Sequence, residues 1–122
     1  MRKATSLGES FHYALCGIGH CLRHERNIRV HFFCGLLVIL AGLLLDLSAA
    51  ELAVVMLTVA VVIGAEMINT AMENVVDLLS PEYHPLAKVV KDVAAGTVLV
   101  LCFFAVLVGL LIFIPHLLDL FR

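Results

Sequence analysis

Three carboxylates and an amide, Glu66, Asn69, Glu73 and Asp77, stand in the stretch Glu66-Met67-Ile68-Asn69-Thr70-Ala71-Met72-Glu73-Asn74-Val75-Val76-Asp77. On a helix, at about 100° per residue, Glu66, Glu73 and Asp77 fall within about 40° of one another, with Asn69 and Thr70 flanking them. Carboxylates grouped in this way can accept a proton from a hydroxyl or coordinate a hard cation. The segment from Leu52 to Ala65 carries no charge, so the acidic face occupies the later half of a helix that enters a bilayer. Along the axis Glu66 lies roughly 16 Å from Asp77, within hydrocarbon or just beneath the interface. A central charge costs about 3 kcal/mol on insertion scales, so acids at that depth face a bundle interior or a watery cavity and mark function. Several on one face read as a site rather than as protonated struts holding an oligomer together.

The elements that must position this face follow from periodicity and punctuation. The acidic helix is expected as a membrane span over residues 52–78, between spans over 30–47 and 93–117. Residues 5–23 carry Leu7, Phe11, Ala14, Leu15, Ile18 and Leu22 at spacings of three and four, with Ser6 and Glu9 placed as a capping box. That pattern predicts an amphipathic helix, and the basic segment after it places the helix along the cytoplasmic membrane surface. Gly17 and Gly19 weaken it as an isolated helix and suggest close approach of a ligand or a neighbouring helix. Ala94, Ala95 and Gly96 give the third span a small-residue start, as close helix packing requires. Between the second and third spans, residues 78–90 hold Ser80-Pro81, Pro85 and the polar trio Glu82, Tyr83 and His84, which mark a break.

Composition sets the class. In a chain of 122 residues, 62% hydrophobic content and a mean hydropathy of +1.08 lie far outside soluble composition and indicate an all-α integral membrane protein of one domain. Three spans from so short a chain enclose little interior, so polar groups at mid-depth argue for burial between subunits of a homo-oligomer. The formal net charge of -2 carries no nucleic-acid footprint. Arg2, Lys3, Arg23, Arg26 and Arg29 precede the first apolar run, Lys88 and Lys91 separate the second from the third, and the turn from Asp46 to Glu51 has no base. By the positive-inside rule the N-terminus and the loop after the second span are cytoplasmic and the C-terminus is outside, so the acidic face opens toward the cytoplasm. The first span, beginning near Val30, is also expected to serve as the targeting signal. Cys16, Cys21, Cys34 and Cys102 show no Cys-x-x-Cys spacing and read as small buried hydrophobes rather than as a disulfide or zinc set. Glu25, a lone acid among Arg23, Arg26 and Arg29, is either neutralised locally or reaches toward the acidic face.

The acidic stretch resembles the signature of the small bacterial membrane kinases, the prokaryotic diacylglycerol kinase and undecaprenol kinase family: Glu-aliphatic-x-Asn-Ser/Thr-small-aliphatic-Glu-x-x-Val-Asp. Every specified position is met between Glu66 and Asp77. The similarity extends through Glu25-Arg26-Asn27-Ile28-Arg29-Val30-His31 and Glu82-Tyr83-His84-Pro85-Leu86-Ala87-Lys88-Val89-Val90-Lys91-Asp92, and so covers nearly the whole chain. It implies an N-terminal surface helix with three transmembrane helices, assembled as a homotrimer with sites shared between neighbours, in the bacterial inner membrane. It also implies ATP- and Mg2+-dependent phosphorylation of a lipid alcohol. On this resemblance Glu66 is the general base and substrate contact, Glu25 and Glu73 hold magnesium, and Asn69 supports the site. Lys91 and Asp92 match the nucleotide-contacting pair and Tyr13 the surface-helix tyrosine, while Glu25, Glu73, Glu82, Tyr83 and His84 border the ATP.

Phosphoryl transfer requires cations against the nucleotide charge, a group to deprotonate or position the acceptor hydroxyl, and a base on the phosphates, and all three are available here. No Gly-x-x-x-x-Gly-Lys-Ser/Thr loop and no soluble-kinase signature occurs. The wording Glu-Arg-Asn-x-Arg-x-His and His-Pro-Leu-Ala-Lys-x-x-Lys-Asp-x-Ala-Ala-Gly is more similar to the undecaprenol kinases of Gram-positive bacteria than to the diacylglycerol kinases of enteric bacteria. Undecaprenol is therefore the expected acceptor, with diacylglycerol as the alternative. A proton or ion relay through Glu66 and Glu73 would need polar groups continuing to the outer face, where the sequence is apolar. A non-enzymatic accessory subunit would leave the cytoplasmic polar residues without a use.

Overall fold

The computed structural model describes residues 6–120 and contains four α-helices in succession: α1 (Leu7–His24), α2 (Arg26–Leu44), α3 (Ala49–Leu79) and α4 (Pro85–Asp119). The last three are each long and apolar enough to cross a membrane. At 1.5 Å per residue, α3 and α4 run roughly 46 and 52 Å, well beyond a hydrocarbon core of about 30 Å, so both project from it. The acidic half of α3 and the basic start of α4 occupy the ends that meet across their shared loop.

Each boundary has a local cause. The Oγ of Ser6 accepts from the Glu9 amide at 3.2 Å and starts α1. The helix breaks at Glu25, whose extended backbone (φ -103, ψ 117) closes α1 and opens α2. After α2, Leu47 N–H bonds back to Gly42 O at 3.0 Å and Asp46 N–H to Leu43 O at 3.4 Å, with Asp46 in the left-handed region at φ 53. This is a Schellman ending with aspartate where glycine is commonest. A reciprocal capping box then starts α3: Ser48 Oγ accepts from the Glu51 amide at 3.3 Å, and the Ser48 amide donates to Glu51 Oε2 at 2.9 Å.

The break between α3 and α4 is shorter than the turn expected over 78–90. The helix begins at Pro85 rather than near Val93, with His84 Nδ1 accepting from the Leu86 amide at 3.2 Å. Proline lacks only an N–H that a first helical turn leaves unpaired, and its fixed φ suits that position, so Pro85 starts a helix instead of interrupting one. Lys88, Lys91 and Asp92 are consequently helical. At the far end α4 continues through Pro115 to Asp119.

The packing centres on α3, which lies against both α2 and α4, while α1 touches α2 and α3. Close approach between helices falls at glycines other than those singled out in the sequence. A Cβ on Gly35 would stand 2.5 Å from Val59 Cγ1, and one on Gly42 3.5 Å from Leu52 Cδ1, whereas Gly17, Gly19 and Gly96 have open space around that position. Ile28, Val55, Val62, Val76, Val98 and Cys21 are buried, while most large apolar residues face outward, Leu99 and Phe103 among them. In a membrane chain these outward faces meet lipid or other subunits rather than water. The cysteines depart from expectation: only Cys21 is buried, Cys102 is half-buried, and Cys16 and Cys34 are exposed, all four as free thiols.

Candidate active site

Among the described residues the buried polar side chains are Glu66, Asn69 and Thr70, all on the inward face of α3, with Glu66 only 4% exposed. From the Ser48 cap to Glu66 is roughly 27 Å of helix, which sets the carboxylate at the far end of a hydrocarbon layer of about 30 Å. Among the described residues no ion pair or hydrogen bond engages the Glu66 carboxylate. A carboxyl on so buried a side chain, with no hydrogen bond to hold it, is placed to exchange a proton with a bound hydroxyl.

One turn further, Asn69 Nδ2 donates to Glu73 Oε1 at 3.0 Å, and Asn69 Oδ1 is buried with no partner. Glu73 is half-buried and Asp77 is exposed, so the acidic face runs from interior to surface along α3. Beside it, between α3 and α4, lies an open groove of about 760 Å³ with Asn69 among otherwise mostly apolar lining residues such as Ile68, Met72, Val93 and Leu101. The groove is shaped for an apolar chain, with a polar anchor along it.

At the surface end the charges are paired across the short loop. Lys91 Nζ bridges to Asp77, joining α4 to α3, and Lys88 pairs with Asp92 one turn apart on α4. The structure thus brings Asn69 to Glu73 and Lys91 to Asp77. Lys88 was not among the expected site residues, and Asp77 was expected on the acidic face without a partner: the Lys88–Asp92 spacing of four was legible, but the Asp77–Lys91 pair depends on how tightly residues 80–84 turn. Glu25 stands half-buried at the α1–α2 junction. Tyr13 is exposed on α1 with its ring tilted against His12, centroids 5.9 Å apart, and Glu82, Tyr83 and His84 are exposed in the loop.

Glu25, Glu66 and Glu73 do not converge into a protein-only metal cage: among the described residues no three His, Cys, Asp or Glu side chains gather around one point. The donor chemistry still suits a hard cation. Carboxylates at Glu25 and Glu73 and the orphaned amide oxygen of Asn69 are hard oxygens, and magnesium commonly takes one or two protein carboxylates, completing its shell with phosphate and water.

Residues 12–113 match the family described as prokaryotic diacylglycerol kinase. A diacylglycerol kinase from Synechocystis is 46% identical over 118 residues, covering 96% of this chain and 67% of that relative. An undecaprenol kinase from Bacillus subtilis is 40% identical over 109 residues, 89% of each chain. The diacylglycerol kinase of Escherichia coli K12 is 28% identical over 104 residues, 85% of each.

Proposed function

We propose, from the premise that this chain belongs to the prokaryotic diacylglycerol kinase family and is a multi-pass membrane lipid kinase, that it transfers the γ-phosphate of ATP to the hydroxyl of undecaprenol. The observation that carries the reading of the site is the unpaired, 4% exposed Glu66 one turn from the Asn69–Glu73 hydrogen bond.

The lipid alcohol lies with its chain against the apolar helix faces and its hydroxyl at the depth of Glu66. Glu66 accepts the hydroxyl proton as the oxygen attacks the γ-phosphorus, and the buried setting keeps water from competing as acceptor. Asn69 holds the Glu73 carboxylate in one orientation. Glu25 and Glu73 would hold magnesium, which when bound offsets the phosphate charge during transfer. Lys91 and Asp92, Tyr13 and the loop residues Glu82, Tyr83 and His84 bind and orient the nucleotide at the projecting ends of the helices. With the basic residues concentrated at that end, the N-terminus and the site face the cytoplasm of a bacterial inner membrane and the C-terminus lies outside. The outward apolar faces support assembly as a homotrimer, with α1 lying along the membrane surface.

Diacylglycerol is the second reading, favoured by the Synechocystis relative. Transfer of labelled γ-phosphate by the purified protein in a bilayer, with both lipids in competition and with or without magnesium, separates them. Preferential labelling of undecaprenol supports the proposal, preference for diacylglycerol replaces the acceptor and keeps the mechanism, and labelling of neither overturns the assignment of the site.

A further inference from the structure

Four nitrogen and sulfur donors recur along α1 at intervals of four residues: His12, Cys16, His20 and His24. At about 100° per residue each step drifts by about 40°, so His12 and His24 lie roughly 120° apart and the four cannot share one ion. They resolve instead into two touching pairs. His12 Nε2 lies 3.6 Å from Cys16 Sγ. The rings of His20 and His24 stack with centroids 4.3 Å apart and planes 26° from parallel.

The second pair has the spacing of four that sets two histidines on one helix face, where they can share an ion. His24 Nδ1 lies 2.9 Å from the backbone oxygen of His20. A carbonyl oxygen only accepts, so Nδ1 carries the proton and Nε2 of the neutral ring presents its lone pair. Donation of the second ring nitrogen to a backbone carbonyl is the arrangement that orients metal-ligating histidines. Both side chains are exposed, so an ion reaches them from solvent. Two nitrogens at about 2.0–2.1 Å from one tetrahedral ion stand roughly 3.4 Å apart with both lone pairs aimed at it, so the rings must turn out of their stack when the ion binds.

We propose that His20 and His24 form a two-ligand site for a divalent transition metal, zinc being the representative ion, with water completing the shell. Imidazole nitrogens select such ions over magnesium, which requires oxygen donors, so this site is chemically separate from the carboxylates of the kinase centre.

The test is titration of the full-length, chelator-stripped protein in detergent with zinc against a chromophoric indicator, in excess magnesium, followed by cobalt as a spectroscopic probe. One zinc per chain is expected. Either His20→Asn or His24→Asn should weaken binding by about tenfold or more, the scale at which even an outer-shell contact counts. The control pair His12→Asn and Cys16→Ser should leave binding unchanged, and bound cobalt should show no thiolate charge-transfer band. Kinase activity of the His20 and His24 variants, in excess magnesium with a zinc-selective chelator, should match the parent. Zinc binding that survives the double His20→Asn/His24→Asn variant, displacement by magnesium, or a thiolate band abolished by Cys16→Ser would overturn the assignment.

Discussion

Asn69 gives its Nδ2 proton to Glu73 Oε1 at 3.0 Å and keeps its Oδ1 buried and unpaired, so one side chain both fixes a carboxylate and offers a spare hard oxygen. A hydrogen bond to a charged group is worth about 1.5–3 kcal/mol, so Asn69→Ala should lower kcat/KM for magnesium-ATP on the order of 10- to 100-fold. Asn69→Asp should lower it further, by placing a second negative charge against Glu73. Steady-state kinetics at varied magnesium checks both, with thermal unfolding in detergent as the control. Equal activity in Asn69→Ala would remove the amide from the site.

Glu66→Gln keeps shape and hydrogen-bonding capacity while removing the ability to take a proton. General base catalysis contributes about 100- to 10,000-fold, and kcat should fall by that order while magnesium-ATP affinity and oligomeric state stay at parental levels. Sedimentation in matched detergent and nucleotide titration read those two controls. Dissociation of the oligomer would return Glu66 to a structural role.

The acidic face of α3 was legible because helical periodicity alone sets Glu66, Glu73 and Asp77 on one side, and burial then follows from whichever side packs inward. The spans were legible from their apolar length. The start of α4 was not, because Pro85 read in isolation looks like a breaker and becomes a first-turn residue only with the His84 cap formed. Close contact at Gly35 was likewise hidden: whether a glycine meets another helix depends on crossing geometry, and nothing local distinguishes Gly35 from Gly17. The Lys91–Asp77 bridge needed the length of the loop, which the misplaced helix start had overestimated.

That bridge separates a stability effect from a binding effect. Both partners are substantially solvent-exposed, and pairs of this kind contribute at most about 1 kcal/mol, so Asp77→Asn should barely move the unfolding midpoint. In the proposed site Lys91→Met also removes a cation from the nucleotide phosphates, and should raise KM for ATP by roughly tenfold or more with little change in fold. A KM rise of equal size in Asp77→Asn would make the aspartate the positioning group for Lys91. No rise in Lys91→Met would take the lysine out of the nucleotide site.

The contact of α2 with α3 at Gly35 should be the least tolerant point of the helix packing. A Cβ there would sit 2.5 Å from Val59 Cγ1, and the β-branched valine has one strongly preferred rotamer in a helix, so it cannot swing aside. The helices must separate instead. Overpacking of this kind costs about 1–3 kcal/mol, and Gly35→Leu should lower stability in detergent by at least that much and depress activity by shifting α3, which carries Glu66 and Glu73. Gly17→Ala, with no atom within 4 Å of the new methyl, should instead stabilise α1 by about 0.8–1.0 kcal/mol through helix propensity. The decisive variant is Gly35→Ala combined with Val59→Ala. If the clash is the cause, removing the valine methyls recovers most of what Gly35→Ala loses, whereas independent effects would add. Additive losses in that double-mutant cycle would show that Gly35 matters for a reason other than its distance to Val59.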